Sequence, residues 1–73
     1  LNEALRAYRD KLAQNVEDYE KSLAAMQNGS EQTYEVDRST GERTDLTPQR
    51  IADYTDIIDT LRALIRDLDI KLG

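Results

Sequence analysis

Two long stretches of helical periodicity bracket a short polar segment of strand character, and this order restricts the fold more than any other feature of the chain. Residues 4–27 and 48–72 repeat their apolar side chains at steps of three and four. Between them, Thr33-Tyr34-Glu35-Val36-Asp37 and Glu42-Arg43-Thr44-Asp45-Leu46 flank a turn containing Gly41. The expected fold is α+β and mostly helical: two long antiparallel helices connected by a small β-hairpin, in the order α-β-β-α. The predicted bounds are helix 4–27, hairpin 32–46 and helix 48–72, within one domain covering 1–73. Such a unit has almost no interior in which to enclose a pocket, so function is expected at the surface.

In the first segment Leu5, Tyr8, Leu12, Val16, Tyr19, Leu23 and Met26 fall within an arc of roughly 80°, a narrow seam suited to one partner helix. Glu17 and Lys21 on the opposite face form a favourable i,i+4 pair. Asn28-Gly29 ends the helix, because both residues tolerate the left-handed conformation that closes a helix C-terminus. The second segment opens with Thr47 as the expected N-cap and Pro48 at the first helical position, where a missing N–H costs nothing. Ile51, Tyr54, Ile58, Leu61, Ile65, Leu68 and Leu72 form its seam. Ile57 and Leu64 add a second row and widen the apolar arc to roughly 140°.

The charges suggest a hairpin register. Pairing Val36 with Thr44 sets Asp37 opposite Arg43 and Arg38 opposite Glu42, leaving Ser39-Thr40-Gly41 as the loop with Gly41 at positive φ. Tyr34, Val36 and Leu46 then share a face with Thr44, at the cost of a like-charge Glu35/Asp45 pair. A lone two-stranded hairpin is marginal in water, so this one is expected to lean on the spare row of the second helix.

Composition narrows the chemistry. Neither Cys nor His occurs, which removes disulfides, thiolate ligands, the usual general base and the usual metal ligand. Ser22, Ser30 and Ser39 have no base to activate them, so the chain is not expected to be an enzyme. Asp53, Asp56 and Asp59 lie along one helix edge, where they read as a solvated acidic stripe near a helix N-terminus, not a converging metal site. No metal or other cofactor is therefore expected. Asp and Glu number 15 against 10 Lys and Arg, a balance that disfavours binding to duplex phosphates. No apolar run approaches the ~20 residues of a membrane span, and none reads as a signal-peptide core. The numbering opens on Leu1 and not Met, as expected of a segment trimmed from a longer chain.

Helix two thus carries more apolar surface than helix one can cover. Ile57 and Leu64, joined by the isolated Ile70, are the first candidates for contact with another protein. Tyr8, Tyr19 and Tyr54 lie on the seams and read as packing residues with their hydroxyls turned to water. Tyr34, Arg38 and Arg43 on the hairpin are further contact candidates; the arginines either pair with Glu42 and Asp37 or probe a partner's acidic groove.

From Gly29 onward the order of features resembles the gpW family, the head-to-tail joining proteins of tailed bacteriophages. The likeness rests on a helix ending at Asn28-Gly29, a strand Thr33 to Asp37, and a Gly-containing turn. It continues through Gly41-Glu42-Arg43-Thr44-Asp45-Leu46-Thr47, close to the family's Gly-Arg-x-Val-x-Phe-Thr run, and a capped helix from Ile51-Ala52-Asp53-Tyr54 to Leu61. The hairpin is acidic where family members tend to be basic, both helices are longer, and the family's basic C-terminal tail has no counterpart after Lys71-Leu72-Gly73. The resemblance implies a structural adaptor of the virion neck, passing through the host cytoplasm during assembly. It would form a ring with neighbouring copies beneath the portal protein and bind the next neck or tail protein, with DNA only passing through the channel. The alternative expectation is a small helical-hairpin regulatory or dimerisation module that binds a partner protein.

Overall fold

The computed structural model describes residues 2–73 and has the α-β-β-α order. Helix α1 spans Asn2–Gln27, strands β1 and β2 span Tyr34–Val36 and Arg43–Asp45, and helix α2 spans Thr47–Leu72. The helices run antiparallel: Arg9 meets Asp69, and Glu20 meets Arg62. Their seam buries Leu12, Val16 and Met26 of α1 against Ile58 of α2, each between 4% and 8% exposed. Tyr19 and Tyr54 meet edge to face beside it, ring centres 5.0 Å apart.

Helix ends follow local chemistry. Asn28 N–H makes the last helical bond, to the Ala24 carbonyl, and Gly29 at φ +84° then turns the chain so that Glu31 N–H reaches the Ala25 carbonyl. At the start of α2 the expectation is corrected. Thr47 is not the cap but the first helical residue; Leu46 occupies the cap position, and Asp45 Oδ1 accepts the Thr47 N–H at 2.9 Å. Thr47 is instead buried, and its Oγ1 accepts the Thr33 N–H at 2.9 Å, while the Thr33 carbonyl accepts the Leu46 N–H at 2.8 Å. These two bonds fasten the root of the hairpin to α2. No side chain caps α2; Asp45 instead satisfies the Thr47 N–H two residues on, in an Asx turn.

The strand register also differs from expectation by one residue. Tyr34 pairs with Asp45, Glu35 with Thr44 and Val36 with Arg43. Asp37 faces Glu42 and accepts the Gly41 N–H at 2.7 Å through its carbonyl, closing the four-residue loop Arg38-Ser39-Thr40-Gly41 with Gly41 at φ +74°. The cause is the Asp37 carboxylate, which accepts the Ser39 N–H and hydroxyl at 2.9 and 2.7 Å and so organises the turn in place of pairing with Arg43. The shift removes the Glu35/Asp45 clash. It also moves Tyr34 and Val36 onto the face of Arg43 and Asp45, away from Thr44 and Leu46.

The hairpin does not fold back onto α2 as expected. All six strand residues are exposed. The molecule measures 55 × 25 × 15 Å, longer than the ~39 Å of a 26-residue helix, because the hairpin continues past the helix ends. Tying Thr33 to Thr47 at the hairpin's base leaves its tip pointing away from the spare row.

Replacing Thr47 by Val removes the acceptor for a part-buried N–H and is expected to cost about 1–3 kcal/mol in urea unfolding, with exchange of the Thr33 amide accelerated. Hydrogen bonds hold two carboxyls below their ordinary pKa of 3.8: Asp37 by the hydroxyl and then the amide of Ser39, Asp45 by the hydroxyl and then the amide of Thr47. A lowered native pKa contributes stability that is complete above 3.8 and fades as pH falls through the lowered values. Protection of the Ser39 and Thr47 amides should therefore drop in that acidic window, and Asp45→Asn should flatten the pH response at Thr47 while leaving that at Ser39.

Candidate interaction surface

Two flanks of α2 differ in kind because α1 offers different chemistry to each. At ~100° per residue, Arg62 and Asp69 lie on one side of the buried Ile58, while Ile57, Leu61, Leu64 and Leu68 lie on the other. On the first side α1 supplies long charged side chains. Arg9 Nε and Nη2 donate to the two Asp69 oxygens at 2.9 and 3.3 Å, and Arg62 donates to Glu20 at 2.5 Å. Asp69 raises the Arg9 pKa, first by hydrogen bonding and then by its charge. On the second side α1 presents short polar groups. Asn15 and Ser22, with Asp18, Tyr19 and Tyr54, border a shallow depression there. Further round α2 on this side, Ile57, Leu61 and Leu68 are half-buried and Leu64 is 43% exposed.

The expected surface residues are therefore only partly united. Ile57 and Leu64 share one edge, completed by Leu61 and Leu68, which the periodicity assigned wholly to the seam. Ile70 does not join them. It is 72% exposed and lies on the far flank of α2, roughly 150° from the edge's midline. At the open end of the helix pair Leu5 and Tyr8 are also exposed, Tyr8 at 52%, so this tyrosine is not the packing residue its position suggested.

The hairpin forms a second surface with two unlike faces. Arg43 lies over the Tyr34 ring at 4.6 Å, with Val36 beside them on the same face, and the Tyr34 hydroxyl donates to Gln32. The reverse face gathers Glu35, Asp37 and Glu42 around Thr44. Among the described residues neither Arg38 nor Arg43 pairs with a carboxylate, so the expected Asp37–Arg43 and Arg38–Glu42 pairs do not form. Arg38 sits exposed in the loop. The Glu17–Lys21 pair does form, at 3.5 Å. Among the described residues no three acidic side chains stand close enough together to hold a metal ion, and no helix is long and apolar enough to cross a membrane.

Truncation separates seam from edge. Ile58→Ala should cost about 2–5 kcal/mol in chemical denaturation, as expected of a buried aliphatic. Leu64→Ala should cost under about 1 kcal/mol, since much of its surface stays wet in the folded chain. With these surfaces in place, comparison with known proteins finds no protein family, curated protein or solved structure that matches the chain.

Proposed function

We propose that the chain is a non-enzymatic structural adaptor of a tailed-phage particle, forming a ring between the portal and the next neck or tail protein. The observation that carries this reading is the half-exposed apolar edge Ile57, Leu61, Leu64 and Leu68 on the helix pair, with a hairpin projecting beyond it. An apolar edge on a rigid rod suits a contact with the portal or a neighbouring copy. The projecting Tyr34/Arg43 face suits insertion into an adjoining subunit. The acidic hairpin face and the net charge of −5 suit a channel through which DNA passes without adhering. The order of elements from Gly29 onward supports the same assignment through its resemblance to the gpW family.

The same edge supports the other reading, a small helical-hairpin module that regulates or dimerises with a partner protein. The two are separated by incubating the chain with assembled portal rings from the same genome and imaging the products. A joining role predicts rings of the chain stacked on the portal, and Leu64→Asp should abolish them while leaving the helical circular dichroism unchanged. Portal rings that remain bare under all conditions would remove the joining role and leave the regulatory module.

A further inference from the structure

We infer that two free copies of the chain pair through the half-exposed apolar edge of α2, antiparallel, about a two-fold axis passing between Leu61 and Leu64. The edge residues Ile57, Leu61, Leu64 and Leu68 are spaced four, three and four apart, so the row reads alike in both directions. A contact between identical surfaces requires this kind of self-complementarity. The axis sets Ile57 of one copy against Leu68 of the other, and Leu61 against Leu64, along about 16 Å of helix. None of the four is buried within the single chain.

Charge placement matches the same axis. Asp53 and Lys71 both lie about 50° to one side of the row's midline. Antiparallel two-fold pairing brings like flanks together, so Asp53 of each copy comes opposite Lys71 of the other, giving two reciprocal ion pairs. Among the described residues neither forms an ion pair within its own chain, although Asp53 accepts a hydrogen bond from Gln49. Asp67 lies further round the helix, and Thr60 between the two charges is neutral. The net charge of −5 per copy opposes association and limits its strength.

A two-fold contact closes on itself and cannot propagate into a ring. The pair is therefore a state of the free chain, and it hides the edge that the adaptor role would use. That last consequence rests on the proposed function; the pairing does not.

Sedimentation velocity on the whole chain over a concentration series tests the inference, with circular dichroism to verify folding. The expected result is a mass that doubles with concentration, and a monomer throughout for Leu64→Asp. Asp53→Lys and Lys71→Asp should each weaken the dimer roughly threefold to tenfold, and the two together should restore it. Both charges are exposed and away from the seam, so these variants leave the fold intact. A wild-type chain that stays monomeric at its solubility limit overturns the inference, as does a dimer that the double exchange fails to restore. Portal capture is a separate measurement, so failure of the adaptor role does not imitate either result.

Discussion

A single seam between two helices is the constraint on which this structure depends. Two cylinders share one line of contact, so a second layer of side chains has nothing to pack against. Among the described residues Leu12, Val16, Met26 and Ile58 are the apolar side chains that become buried, and none falls below 2% exposed. The radius of gyration is 16.8 Å, against about 11 Å for a compact chain of this length. The chain spends its length on reach, and its stability rests on a thin strip of contact.

Given that seam, the two sides of the helix pair acquire different characters. Arg9–Asp69 and Glu20–Arg62 close one side with exposed pairs, which solvent screens and which add little to stability. Burial of Ile58 outweighs both pairs and sets which residues of α2 face α1. With Ile58 turned inward, the flank from Ile57 to Leu68 lies beside the seam, half-buried except at the exposed Leu64.

Much of this was legible in the residues. Periodicity located both helices to within two residues at each end, Asn28-Gly29 marked the stop of α1, and Pro48 marked the start of α2. Gly41 was placed correctly at positive φ even though the loop around it was one residue too short. The misplaced features share a cause: one side chain with two competing uses. Asp37 could be read as the partner of a cross-strand arginine or of the local donors on Ser39, and the local bonds win because they require no long side chain to be ordered. Thr47 could likewise be read as the cap of its own helix or as the partner of Thr33. Ile70 shows a different limit. Its angle on the helix was readable, but an exposed residue gains meaning only from its neighbours, and here the edge lies on the opposite flank.

The bonds from Thr33 to Leu46 and Thr47 carry a mechanical consequence. They join the hairpin to α2 at its root, while its connection to α1 runs through the turn at Gly29. The position of Tyr34, Arg43 and the acidic tip is thus set by α2 through two hydrogen bonds at the hairpin's root and not by packing against either helix.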